Sequence, residues 1–131
     1  MDKARHFYAL HRAGRPLLLP NAWDAGSAAM LARMGFAAIA TTSGGLAWSL
    51  GHADGEQLPL QELLAAVRRI VRVVDVPVTV DFEAGFGATP AQVGDSVRAL
   101  LDTGAVGLNL EDGIAHARLR SLGDAAARIA A

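Results

Sequence analysis

The chain has 131 residues, 52% hydrophobic and 19% charged, with a formal net charge of −1, the profile of one globular domain rather than a disordered tail. Twelve Lys plus Arg stand against thirteen Asp plus Glu, which leaves no basic field for nucleic acid or an anionic membrane. The absence of cysteine excludes disulfides, thiolate metal sites and a cysteine nucleophile.

Residues 2–13 read as a short amphipathic helix ending near Gly14. Pro16 and the apolar triplet Leu17-Leu18-Leu19 follow as a first strand. Asn21 or Asp24 can cap a helix running to about Met34, with Gly35 at its left-handed C-terminal position. Residues 37–41 form a short apolar second strand, and residues 42–59 read as a long loop rich in Gly and Ser. Leu60, Leu63, Leu64, Val67, Ile70, Val71 and Val74 then recur at helical period, with Arg68, Arg69 and Arg72 on the polar face. Residues 76–81 are a third strand, opened by Pro77, where a missing amide does least harm. Thr89-Pro90-Ala91-Gln92 is a capping-box variant with Pro at the first helical position. Its helix runs to Thr103 and stops at Gly104. Residues 106–110 are a fourth strand, and residues 124–131 a final helix.

A helix followed by four strand–helix units implies an α/β fold with a parallel sheet and right-handed crossovers. An open nucleotide-binding sheet shares that alternation, but Gly85-Phe86-Gly87 lacks the third glycine of the dinucleotide fingerprint. No basic leader opens the chain, and no apolar run approaches the ~18 residues of a membrane span, so a cytoplasmic location is expected.

In parallel α/β folds the reacting groups sit at the carboxyl ends of strands. Four acids fall there: Asp54 in the second loop, Asp81 and Glu83 after the third strand, and Glu111 after the fourth. Asp81 and Glu83 are two apart, so in extended backbone they point to one side. Such a cluster is relieved by a divalent cation, and oxygen-only ligands favour Mg2+ or Mn2+ over Zn2+. The alternative is that each acid caps a helix or faces solvent, and Asp112 is read that way. Thr41-Thr42-Ser43-Gly44-Gly45 follows the second strand, where small residues let backbone amides approach an anion such as a carboxylate. His52, two residues before Asp54, is a candidate to touch substrate. His6 and His11 belong to the surface of the first helix, and Trp23 and Trp48 read as packing residues, with Trp48 on the glycine loop also able to line the pocket.

Asn21-Ala22-Trp23-Asp24-Ala25-Gly26-Ser27-Ala28, Thr41-Thr42-Ser43-Gly44, Asp81-Phe82-Glu83-Ala84-Gly85-Phe86-Gly87 and Leu110-Glu111-Asp112-Gly113 resemble, in order, the signatures of the isocitrate lyase/phosphoenolpyruvate mutase superfamily. The resemblance implies a (β/α)8 TIM barrel, which needs at least about 200 residues. Residues 1–131 are therefore expected to form its N-terminal half, inactive as an isolated monomer and part of a homo-oligomer at full length. It implies that Asp81 binds Mg2+ (or Mn2+) directly while Asp54, Glu83 and Glu111 hold it through water. Thr42, Ser43, Gly44 and Gly45 would then take the substrate carboxylate. The implied chemistry is lyase-type cleavage or decarboxylation of a small 2-oxo or 2-hydroxy acid through an enolate. Alternatives are mutase or hydrolase chemistry at a P–C bond and a non-catalytic half-barrel that binds a ligand or partner.

The lid departs from the better-known branches. Glu111-Asp112 is followed by Gly113-Ile114-Ala115-His116-Ala117-Arg118 instead of a Lys-Lys-Cys-Gly-His segment, and no lysine occurs beyond Lys3. That continuation resembles the carboxyphosphonoenolpyruvate-mutase-like or oxaloacetate-decarboxylase-like branch, with His116 as a lid residue that could act as an acid.

Overall fold

The computed structural model describes residues 2–12, 14–114 and 118–131. Helix α1 (Lys3–His11) is capped by Asp2 and pinned to the body where Lys3 Nζ donates to the Val74 carbonyl at 3.1 Å. Strand β1 (Asn21–Ala22) comes next, later than the Leu17–Leu19 triplet, whose Leu18 is 71% exposed. Pro16 and Pro20 flank that triplet and offer no amides, so regular pairing begins only past Pro20. Helix α2 (Ala25–Arg33) is opened by a reciprocal capping box between Asp24 and Ser27, and Gly35 ends it at φ +90°.

Strand β2 (Ile39–Thr41) leads directly into helix α3 (Ser43–Ser49), which replaces the first part of the long loop expected there. Thr42 caps α3, and burial of Leu46 and Ala47 holds the turn against the core despite two glycines. Helix α4 (Leu60–Arg72) buries Leu63, Leu64, Ala66, Val67 and Ile70 and leaves Arg68, Arg69 and Arg72 exposed, as the period requires. Strand β3 (Val78–Asp81) and helix α5 (Pro90–Leu101) follow, the latter opened by the expected Thr89–Gln92 box. Strand β4 (Gly107–Asn109) precedes an unanticipated antiparallel pair, β5 (Gly113–Ile114) with β6 (Arg118–Leu119), and helix α6 (Leu122–Ala130).

The four main strands are parallel and lie in the order β1-β2-β3-β4. That order never reverses, which distinguishes a barrel-type succession from a doubly wound sheet with its switch point. Ile39, Val78 and Val80 meet the apolar stripe of α4 in one core that also takes Phe82 and Leu100. Among the described residues no helix is long and apolar enough to cross a membrane. The polar loops gather at the carboxyl ends of the strands.

Candidate active site

Strands β2 and β3 are neighbours, and their carboxyl ends are laced together in both directions. The Thr41 hydroxyl accepts the Asp81 amide at 3.1 Å, and Asp81 Oδ2 accepts the Ser43 amide at 3.1 Å. The Asp81 carboxylate is thereby fixed beside the first turn of α3, with Oδ1 uncommitted to that bond. Gly44 is buried, and a Cβ there would lie 3.2 Å from Asp54 Oδ2 and 3.5 Å from Trp48 Cη2. A Cβ at Gly45 would lie 2.6 Å from the Thr42 methyl. The missing side chains are what let Asp54 and the Thr42 cap close on this loop.

Asp81 and Glu83 come together for a different reason from the extended geometry expected. Strand β3 ends at Asp81, Phe82 turns into the core with no exposure, and Glu83 takes φ +46°. Glu83 is 7% exposed, and its Oε2 accepts the Glu56 amide at 2.6 Å. Glu56 Oε1 in turn accepts the Phe86 amide at 2.7 Å. Glu56 (φ +58°), Glu83 and Phe86 (φ +52°) are the non-glycine residues with positive φ among those described. Each left-handed residue costs roughly 1–2 kcal/mol, and observed strain of this kind gathers at functional sites. Burial first, and then the charges of Asp54, Glu56 and Asp81, push the Glu83 carboxyl above its ordinary value, against the opposing Glu56 amide. The Ser43 amide on Asp81, the Asp54 carboxylate beside Gly44 and the Glu56 amide on Glu83 bring these four acids to the same rim of the sheet.

Two further expected members have other contacts. Glu111 is exposed and joined to it through backbone, its amide donating to the Glu83 carbonyl at 2.7 Å. His52 Nε2 lies 3.5 Å from Glu62 Oε2, which draws the ring toward the first turn of α4. His116 lies outside the described residues. Trp23 and Trp48 are 46% and 70% exposed, so neither is a core packing residue: α3 turns Leu46 and Ala47 inward and Trp48 outward, beside Gly44, the place the alternative reading of Trp48 gave it.

Glu56 was not singled out in the sequence, although Asp54-Gly55-Glu56, with Gly55 at φ +87°, was a readable turn signal. Arg128 was also missed. It is 6% exposed, donates to the Gly87 and Ala88 carbonyls at 2.9 Å each, and pairs with Asp124, so α6 is clasped to the loop that follows Glu83.

The donor set is all oxygen, which suits a hard divalent cation. Among the described residues no three His, Asp or Glu side chains converge closely enough to clasp an ion by direct bonds alone.

Residues 7–131 match the family model described as phosphoenolpyruvate phosphomutase. The chain is 35% identical over 104 residues to 2-methylisocitrate lyase of Escherichia coli K12, covering 79% of this chain and 35% of that one. It is 33% identical over 113 residues to 2,3-dimethylmalate lyase of Eubacterium barkeri, covering 86% of this chain and 39% of that one. A provisionally assigned phosphonomutase from Burkholderia cenocepacia J2315 superposes with a TM-score of 0.95 at 46% identity, covering 99% of this chain and 53% of that one. The chain thus spans about two fifths of the length of these curated relatives and about half of that solved chain. Its four sequential parallel strands are those of the N-terminal half of a (β/α)8 barrel, and the chain belongs to the phosphoenolpyruvate phosphomutase family, within the isocitrate lyase/phosphoenolpyruvate mutase superfamily.

Proposed function

We propose that the protein is a cytoplasmic, Mg2+- or Mn2+-dependent lyase that cleaves or decarboxylates a C–C bond of a small 2-oxo or 2-hydroxy acid. The observation that carries this reading is the fixed Asp81 carboxylate, amide-anchored at the end of β3, with Asp54, Glu56 and Glu83 around it. Asp81 is the direct metal ligand, while Asp54, Glu83 and Glu111 act through water, an arrangement that does not need three side chains within bonding range of one point. When bound, the cation supplies Lewis-acid stabilisation of the negative charge that develops on a 2-oxo oxygen in an enolate. Thr42, Ser43, Gly44 and Gly45 receive the substrate carboxylate at the start of α3. The Ser43 amide is already committed to Asp81, so its hydroxyl is the group offered to substrate. His52, with its Nε2 turned to Glu62, is the imidazole nearest in sequence to Asp54 and is the candidate to touch substrate.

The C–C reading is favoured by the likeness to 2-methylisocitrate lyase and 2,3-dimethylmalate lyase. A second reading, mutase or hydrolase chemistry at a P–C bond, draws on the family model and the phosphonomutase-like structure. Turnover of oxaloacetate, 2-methylisocitrate and phosphonopyruvate by the intact protein separates the two. Activity is expected to vanish in excess EDTA, to return with Mg2+ or Mn2+, and to be lost in Asp81→Ala. Undiminished turnover in EDTA or in that variant overturns the metal reading, and turnover of phosphonopyruvate alone selects the second one.

Residues 1–131 by themselves are expected to be inactive. Among the described residues their sheet has two unpaired edges, at β1 and β4, and further strands, or a second copy, would be needed to close it into a barrel.

A further inference from the structure

Two loops meet at Glu56, a residue given no ligand role in the reading above. Its backbone amide reaches Glu83 Oε2 at 2.6 Å and its side chain takes the Phe86 amide at 2.7 Å, contacts that span 27 and 30 residues of sequence. One residue therefore grips the turn after β3 at both ends, by its side chain carboxylate on one side and its backbone on the other. The grip requires φ +58°, a conformation for which glycine would be the ordinary occupant. Glycine at this position would keep the bond to Glu83 and lose the bond to Phe86.

Phe86 is secured from the opposite side as well. Ser96 Oγ donates to its carbonyl at 3.1 Å, and its ring lies 5.1 Å from that of the buried Phe82. The Glu56 carboxylate thus completes a closed set of contacts around residues 82–86. Its charge is no help to the local field, because it adds to the repulsion already acting on Glu83. What the side chain contributes is position.

We propose that Glu56 is a positioning residue: through its paired bonds to Glu83 and Phe86 it fixes the orientation in which Glu83 addresses the metal's water shell. This rests on the metal reading given above. Outer-shell partners of this kind are typically worth 10- to 100-fold in metal affinity.

The test is Mn2+ binding to the intact protein, followed by titration calorimetry and by the Mn2+ electron paramagnetic resonance signal, in parallel with kcat and KM. Glu56→Gln keeps an oxygen that can accept the Phe86 amide and removes the charge. Glu56→Asp keeps the charge and is one methylene too short. The expected result is Mn2+ affinity within about threefold of wild type for Glu56→Gln, and a loss of about 10-fold or more for Glu56→Asp and Glu56→Ala, with kcat falling and KM nearly unchanged. Wild-type affinity in Glu56→Asp overturns the proposal, as does a Glu56→Gln variant that binds as weakly as Glu56→Ala, which would make charge the operative property. Asp81→Ala keeps the two ideas separable. If it too binds Mn2+ normally, the metal reading falls and takes this inference with it, whereas loss of Mn2+ there with tight binding in Glu56→Asp sinks the positioning role alone.

Discussion

Asp124, on α6, lies between two guanidinium groups, with Arg128 at 3.1 Å and Arg120 at 3.2 Å. Glu83, at the end of β3, lies among Asp54, Glu56 and Asp81, and among the described residues no ion pair reaches any of the four. The Arg128 contact, more than any other, holds the Asp124 carboxyl below its ordinary value, while burial and like charge hold that of Glu83 above it. The first carboxylate is satisfied by its own chain and fastens helix to loop. The second is opposed as an anion by burial and by its neighbours, and in the proposed reading a cation would relieve it. The two carboxylates thus differ in what surrounds them rather than in the group itself.

Removing the clasp gives the largest expected effect on stability. Arg128→Ala loses the buried bonds to the Gly87 and Ala88 carbonyls and should destabilise the protein by about 3 kcal/mol, the upper range for hydrogen bonds to a charged group. Urea denaturation measures it, and a change under ~0.5 kcal/mol, the level of an ordinary surface substitution, would erase the distinction drawn between the two carboxylates.

Glu83→Gln is expected to move stability the other way. With metal removed, it should stabilise the protein by about 0.5–2 kcal/mol, the usual range for a stabilising substitution, while abolishing the rise in melting temperature that the metal reading predicts for the wild type in Mg2+. The pH dependence carries the same contrast. A raised folded-state value means that Glu83 favours folding most below its ordinary 4.5 and progressively less as pH rises through that raised value. Asp124 contributes fully above its ordinary 3.8, and its contribution is lost as pH falls through the lowered folded-state value. The advantage of Glu83→Gln in metal-free melts should therefore grow from acid toward neutral pH, and an advantage that is flat with pH would contradict the like-charge account.

Ser43→Ala tests the smallest effect. With its amide retained for Asp81, the variant loses only the hydroxyl and should weaken oxalate or pyruvate binding by about 0.5–1.5 kcal/mol, one net hydrogen bond. Unchanged affinity removes Ser43 from the carboxylate contact and leaves the glycine loop to act through backbone alone.

Much of the fold was legible locally. The helical period of Leu63, Leu64, Val67 and Ile70 marked both α4 and its buried face, and Thr89 with Gln92 marked the start of α5, because one helical turn contains all the interacting groups. Helix α3 was not legible. Its Ser-Gly-Gly start has poor intrinsic helix propensity, and it forms where the Thr42 cap and the burial of Leu46 and Ala47 override that preference.

The candidate site divides along the same line. Asp81, Ser43 and Gly44 could be read from the sequence because each follows directly on a strand end, and chain order alone puts such residues at one rim of a parallel sheet. The sequence by itself thus determined the residue types at that rim, the alternation of strands and helices, and the family. Only the tertiary structure decided the unreversed strand order, the pairing of His52 with Glu62, and the left-handed turns of Glu56, Glu83 and Phe86. Those turns depend on bonds spanning 27 and 30 residues; no local periodicity encodes such contacts, because they exist only once β2, β3 and their loops have packed side by side.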